Sequence, residues 1–269
     1  MKVSVIIPFK DKVELTRDCF VSFMEINREI SFEVLLVDNN SRNSSREEIK
    51  RIAQGYKKVQ LLSYPYPYNF QKICNFGVTE SDGEILYFLN NDTEFIPQSQ
   101  GLLARMVEKC TESQIGAVGS LLLYEDGITV QHAGVFYQPG GYAGHIDVGK
   151  TVGDSFSGAQ RYMPLADGGR IVSAVTAASL VVERSKFEEV GGFSENFLVC
   201  GGDVDLCIKL NLAGYRSYLI DSGYIIHKES KSVKGMKIAM NDFIMSYKSY
   251  IRNFDLDKGD LHHNVNGDI

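Results

Sequence analysis

Three short stretches of this chain carry the side chains best suited to chemistry. The turn Asn90-Asn91-Asp92-Thr93-Glu94 places a carboxylate directly after an apolar run. Carboxylate oxygen suits Mg²⁺ or Mn²⁺, which keep coordination positions open for phosphate and water. A diphosphate leaving group, with about two negative charges, departs easily only when such a cation neutralises it. Gly201-Gly202-Asp203-Val204-Asp205-Leu206 sets two acids one residue apart at the start of a helical pattern. A carboxylate there can act as a general base toward an attacking hydroxyl, and the preceding glycines leave room for that hydroxyl to approach. Ile225-Ile226-His227-Lys228-Glu229-Ser230 ends an apolar run on a histidine, and neutral imidazole can complete a Mn²⁺ site begun by a carboxylate. Each stretch also has a plain structural reading. Asp92 can close a strand turn, Asp203 and Asp205 can cap a helix, and His227 can simply pack.

The elements that must position these residues follow from hydrophobic periodicity. Residues 3–7, 32–37, 59–62 and 85–89 are nearly continuous apolar runs, the first ended by Pro8 and the others bounded by polar turns. Such runs, separated by helix-length stretches at 15–26, 45–54 and 70–78, indicate a Rossmann-like, mostly parallel central sheet with helices on both faces, of the α/β class. Asp38 and Asp92 then fall at the carboxyl ends of strands, the edge where open α/β sheets bind ligands. Residues 115–164 are glycine-rich and read as strands and long loops, with His132 and His145 open to substrate contact. Strand 177–182 and a helical turn at 185–190 follow. A helix at 203–213 is ended by Gly214, and short strands cover 215–220 and 224–227. Met236, Met240, Phe243, Ile244, Tyr247, Tyr250 and Ile251 recur at helical spacing, giving an amphipathic helix within 233–256, packed on the domain or facing a membrane or partner. Residues 257–269 form a polar tail.

The chain has 269 residues, 44% of them hydrophobic, enough for a sizeable core. A formal net charge of -6 argues against a nucleic-acid partner, because neutralising phosphates requires a basic surface. Five cysteines without a Cys-x-x-Cys pair read as reduced, packed thiols. No charged-then-apolar leader precedes the first strand, and no run approaches about 20 apolar residues. The expectation is a cytoplasmic protein, soluble or peripheral at the inner face of the cell membrane.

In their order along the chain, these pieces resemble glycosyltransferase family 2, whose members adopt the GT-A fold. The likeness runs from Val5-Ile6-Ile7-Pro8 and Val37-Asp38-Asn39-Asn40-Ser41 through Tyr68-Asn69-Phe70-Gln71-Lys72-Ile73-Cys74-Asn75-Phe76-Gly77 and Phe88-Leu89-Asn90-Asn91-Asp92. It continues in Gln131-His132-Ala133-Gly134-Val135, Ser173-Ala174-Val175-Thr176-Ala177-Ala178 and Phe187-Glu188-Glu189-Val190-Gly191-Gly192-Phe193. It ends with Gly202-Asp203-Val204-Asp205 and His227-Lys228-Glu229-Ser230. The second half is especially similar to a bacterial subgroup serving O-antigen and other cell-surface polysaccharides, including rhamnosyltransferases.

The resemblance implies a domain over residues 1–232, with a nucleotide-sugar-binding half at 1–115 and an acceptor-binding, catalytic half at 116–232. It implies a UDP- or dTDP-sugar donor and a saccharide or lipid-linked saccharide acceptor. Pro8, Asp38 and Asn40 match positions that frame the nucleotide, and Lys72, Asn90, Asn91 and Thr176 match positions around the donor. Asp92 matches the last acid of the family's Asp-x-Asp motif, the metal ligand, and His227 a histidine that joins the metal in some members. Asp203 matches the catalytic base. Asn90 stands where the motif's first Asp usually is, and Gly202 replaces the acid that commonly precedes the base. One base and no evident nucleophile imply inversion at the anomeric carbon. Two rival readings are a non-catalytic nucleotide-sugar- or glycan-binding partner and a sugar nucleotidyltransferase. The latter would want a glycine-rich basic loop after the first strand, where Phe9-Lys10-Asp11-Lys12 stands instead.

Overall fold

The apolar runs form the strands that their continuity predicts. In the computed structural model, which describes residues 1–138, 142–152, 164–165, 168–228 and 240–253, β1 (Val3–Phe9), β2 (Phe32–Asp38), β3 (Val59–Ser63) and β4 (Ile85–Leu89) pair in parallel in the order β3-β2-β1-β4. Every residue of β1 and of β4 is buried, as strands covered on both faces require. The crossovers are α1 (Val13–Ile26), α2 (Asn43–Ala53) and α3 (Phe70–Thr79). Pro8 does not end β1. The strand runs on to Phe9 because β4 has already left its edge, their last paired residues being Ile6 and Phe88. A missing N–H therefore interrupts no ladder on that side.

Parallel pairing stops at β4. There β12 (Ser179–Glu183) enters antiparallel, followed by β6 (Ile115–Leu123) and then β13 (Arg216–His227), which is parallel to β6. Beyond β13 lie β11 (Gly169–Val172) and β10 (Pro164–Leu165), both antiparallel. β5 (Thr93–Glu94) pairs with the end of β13, and β7 (Val130–His132) pairs with β6. Among the described residues this is an eleven-stranded mixed sheet, so the parallel character expected of the whole sheet holds for its first half and for the β6–β13 pair. The physical reason is the connection after β6. Among its described residues are short strands, including the antiparallel pair β8 (Val135–Gln138) and β9 (Tyr142–His145), and β12 then enters antiparallel to β6.

The two strands expected at 215–220 and 224–227 are one strand, since a register shift between Ile220 and Tyr224 absorbs the extra residues, with Gly223 at φ +142°. Among the described residues four further α-helices follow: α4 (Leu102–Cys110), α5 (Arg184–Glu189), α6 (Gly202–Leu212) and α7 (Met240–Asn253). Gly214, at φ +97°, lies just past the end of α6, the left-handed position its sequence context predicts. Parts of the expected C-terminal helix, residues 233–239 and 254–256, and the tail at 257–269 lie outside the described residues, as does the 232 boundary.

Strand alternation divides the interior into two cores. Ile6, Leu35, Phe88 and Ile73 of α3 share one with Phe187 and Phe193, while Val5, Ile7, Leu36 and Tyr87 share the other with Phe20 and Phe23 of α1. Fully burying each such side chain contributes about 1.5–3 kcal/mol. Helix α3 approaches β1 closely because Gly77 has no side chain, and a Cβ there would lie 2.6 Å from Ile6 Cγ2. For Gly77→Ala, overpacking of about 1–3 kcal/mol outweighs a helix-propensity gain of about 0.5–1 kcal/mol. The variant is expected to unfold at lower urea than the wild type, and an unchanged or higher midpoint would contradict this packing.

Candidate active site

The carboxyl ends of β1, β2 and β4 open on a cleft of about 770 Å³. On one side stands the turn after β4. Asn91 is anchored there by a hydrogen bond from its Nδ2 to Thr16 Oγ1 of α1 at 2.9 Å, and Asp92 is 2% exposed. β13 then delivers His227 to this turn, because Thr93 pairs with His227 and Glu94 with Ile226. The Lys228 N–H donates to the Asp92 carbonyl at 2.8 Å, which closes the junction. His227 Nε2 consequently lies 3.1 Å from Asp92 Oδ1 and 3.4 Å from Asn90 Nδ2. The ring's other face of contact is Gln131, whose Oε1 meets Nδ1 and whose Nε2 donates to the His227 carbonyl at 3.1 Å.

One imidazole nitrogen beside one carboxylate oxygen is a donor set that suits Mn²⁺ or Mg²⁺ with positions left for water and phosphate. Among the described residues no third histidine, cysteine or carboxylate joins them. Cys19 lies under the turn, its Sγ 3.3 Å from the Asn90 carbonyl, but burial pushes its thiol up to about 12 and keeps it protonated. A cation held by this pair would meet nitrogen and oxygen but no thiolate.

Across the cleft, α6 starts at Gly201 and Gly202. Gly201 takes φ +84°, and a Cβ on Gly202 would fall 2.2 Å from Gln71 Nε2. A side chain at position 202 would therefore have to displace Gln71. The Asp203 carboxylate accepts from the Ala177 N–H at 3.1 Å through Oδ2 and from the Val204 N–H at 2.9 Å through Oδ1. This aims it into the cleft beside Thr176. The neighbouring acid does something else: Asp205 is buried, accepts from Ser194 Oγ, and accepts from Ser249 Oγ of α7 at 2.7 Å.

Of the residues singled out from sequence, Pro8, Asn90, Asn91, Asp92, Thr176, Asp203 and His227 line the cleft together. Asp38 lies just behind it, buried, accepting from the Ser41 N–H at 2.9 Å and 3.7 Å from Arg46. Asn40 is exposed in a left-handed turn at φ +60°, and Lys72 is exposed, 3.9 Å from Glu195. Their immediate neighbours Asn39 and Gln71 face the cleft instead. Both are buried, and among the described residues Asn39 Oδ1 and Gln71 Oε1 have no hydrogen-bond partner. A buried acceptor without a partner is costly and fits a ligand that donates to it.

Of the two histidines that the sequence left open to substrate contact, His145 lines the cleft and His132 does not, while the role of Asp242 had no signal in local spacing. His145, in the cleft, has its Nδ1 3.3 Å from Nδ1 of the fully buried His132. Asp242 of α7 is also fully buried, and its carboxylate accepts from the Leu198, Val199 and Cys200 N–H groups at 2.8–3.1 Å. That clasp, with Phe243 and Tyr247 lining the cleft, makes α7 part of the site wall. No described helix is long and apolar enough to cross a membrane, and all five cysteines are free thiols.

This mixed sheet, with a polar cleft over the ends of its parallel strands, is the GT-A fold. A solved mannosyltransferase from Pyrobaculum calidifontis, in complex with GDP-Man and Mn²⁺, superposes with a TM-score of 0.60 at 15% identity, covering 93% of this chain and 69% of that one. The chain belongs to the glycosyl transferase family 2, whose model matches residues 4–156. It is 37% identical over 267 residues to the O-antigen biosynthesis protein RfbC of Myxococcus xanthus, covering 98% of this chain but 20% of that protein. The chain thus spans a fifth of that relative's length. An N-acetylglucosaminyl-diphospho-decaprenol L-rhamnosyltransferase of Mycobacterium tuberculosis is 26% identical over 228 residues, covering 79% of this chain and 72% of that one.

Burial, with His145, His227 and Arg170 nearby, holds the His132 imidazole well below its ordinary 6.5. The folded state keeps this ring neutral while the unfolded chain takes up a proton near pH 6.5, so its contribution is complete above that value and is lost as pH falls. Urea midpoints should drop between about pH 7 and pH 5, with a shallower drop in His132→Gln. Equal slopes in the two proteins would remove His132 as the cause.

Proposed function

We propose that this chain is an inverting glycosyltransferase that moves a sugar from a UDP- or dTDP-sugar to a hydroxyl of a saccharide or lipid-linked saccharide, in bacterial cell-surface polysaccharide assembly. The observation that carries this reading is the meeting of two functions in one cleft. The Asp92–His227 pair stands on one side and the Asp203 carboxylate on the other. The first belongs to the ends of β4 and β13 and the second to the start of α6. Residues 1–115 then serve chiefly the nucleotide sugar, and residues 116–232 the acceptor and the chemistry.

In this mechanism Asp203 accepts the proton of the acceptor hydroxyl. Its two backbone N–H partners hold the carboxylate in place while that proton arrives. The acceptor oxygen forms its bond to the anomeric carbon as the bond from that carbon to the diphosphate oxygen breaks, its electron pair leaving with the nucleoside diphosphate. A single attack with no covalent enzyme intermediate inverts the configuration. Asp92 and His227 would hold Mn²⁺ or Mg²⁺, which would supply charge neutralisation to the diphosphate. Asn39 and Gln71 offer their buried oxygens to donors on the bound substrates, alongside Pro8, Asn90, Asn91 and Thr176, with Asp38, Asn40 and Lys72 supporting the nucleotide side. The mannosyltransferase in complex with GDP-Man and Mn²⁺ supports a nucleotide-sugar donor and a divalent cation, and the N-acetylglucosaminyl-diphospho-decaprenol L-rhamnosyltransferase supports a lipid-linked saccharide acceptor.

Asp203→Asn tests the base. It is expected to keep its melting temperature and donor affinity while transfer falls at least about a hundredfold, the lower range for general-base catalysis. Turnover near the wild-type rate would remove Asp203 from that role. A melting-temperature screen of nucleotide-sugars with and without Mn²⁺ tests the donor side. A ligand at a hundred times its Kd stabilises the native state by about 2.7 kcal/mol. The matching donor should raise the melting temperature further when Mn²⁺ is present, and Asp92→Asn should abolish that increment. Absence of nucleoside diphosphate release with every donor in the panel would favour a non-catalytic binding role.

A further inference from the structure

Gln131, on β7, is 6% exposed, and both polar atoms of its amide are committed to His227. The direction of that amide is decided by the backbone. Its nitrogen is 3.1 Å from the His227 carbonyl oxygen, which can only accept. Turning the amide over would set two oxygens against each other there and an N–H₂ group against Nδ1. With the amide as it stands, Oε1 can only accept, so Nδ1 must carry the proton. A neutral imidazole has a single N–H. In that neutral ring Nε2 is a bare lone pair, and it is this atom that lies 3.1 Å from Asp92 Oδ1. Asn90 Nδ2, at 3.4 Å from the same nitrogen, can only donate and so agrees with a bare Nε2. When the ring is neutral, two acceptors thus stand side by side, the relation of two ligands that share a cation.

We propose that Gln131 is a positioning residue: it fixes His227 in the Nδ1–H tautomer and so presents Nε2, beside Asp92, to a divalent cation. The inference rests on the metal reading of the Asp92–His227 pair and adds the residue that prepares it. Both polar atoms of the Gln131 amide are spent on His227, leaving none for a cation. Its effect passes through the ring, as outer-shell partners of metal-bound histidines generally act.

The test begins without metal. In protein labelled with ¹⁵N-histidine at about pH 8, above the usual histidine range, two-bond ¹H–¹⁵N correlation spectra separate a protonated ring nitrogen from a bare one. Wild-type His227 is expected to show Nδ1–H and bare Nε2. Gln131→Met should lose this preference in favour of Nε2–H donating to Asp92, while Gln131→Glu, which keeps an acceptor at Nδ1, should retain it. Should the Met variant not fold, Gln131→Leu serves the same comparison. Mn²⁺ titration followed by electron paramagnetic resonance should show affinity about 10–100-fold weaker in Gln131→Met, and no further loss when the substitution is added to His227→Ala. Nε2–H in the wild type, or an unchanged tautomer in Gln131→Met, overturns the assignment, as does a Mn²⁺ loss that persists in the His227→Ala background. If His227 shows the expected tautomer and its loss in Gln131→Met, yet the wild type does not bind Mn²⁺, the cation reading of the site falls and the role of Gln131 in setting the tautomer stands.

Discussion

The ladder of two residue pairs between β5 and β13 is the constraint on which the site depends. It sets His227 opposite Thr93 and so brings an imidazole against Asp92. So short a ladder contributes little by itself, since each backbone hydrogen bond is worth about 0.5–1.5 kcal/mol net. Its register is imposed from elsewhere. β13 is paired along β6 from Arg216 to Ile226, and the bulge between Ile220 and Tyr224 sets which residue arrives at the turn. A slip of one residue would turn His227 to the opposite face of the sheet and replace it with Ile226 or Lys228. The bulge is thus as important to the site as the histidine.

The acids of the chain divide by what their oxygens are given. Asp242 takes three backbone N–H groups from residues 198–200, and Asp205 takes two serine hydroxyls. Both are buried, and together they bind α7 to the loop and helix that carry Asp203. Asp38 closes the turn after β2 in the same manner. Asp203 also accepts backbone N–H groups, but its side chain remains half-buried at the cleft rather than sealed beneath it. Charge-assisted bonds to backbone N–H groups are roughly twice as strong as neutral ones. They let an acidic chain place several carboxylates around one cleft without losing the packing of its loops.

Much of the architecture was legible because it is local. Continuous apolar runs marked β1 to β4, Gly214 marked the end of α6, and acids at strand ends marked the cleft edge. Pro8 misled about the end of β1, since whether a missing N–H matters depends on the neighbouring strand rather than on the strand itself. Asp221 to Gly223 read as a break and proved to be a bulge, because β6 continues alongside. Asn39 and Gln71 were harder still. Each adjoins a residue suspected from motif likeness, and only side-chain direction shows which neighbour faces the cleft.

By itself the sequence determined the α/β class, the family, and the residue types at Asp92, Asp203 and His227. Periodicity and ordered motifs are properties of contiguous residues, and they survive being read in one dimension. Only the tertiary structure decided that Asp92 meets His227 across 135 positions, that Gln131 holds that ring across 96, and that Asp242 seals the cleft wall from α7. These contacts follow from the order in which strands assemble in the sheet. That order is set by packing between elements far apart in the chain, and no local spacing records it.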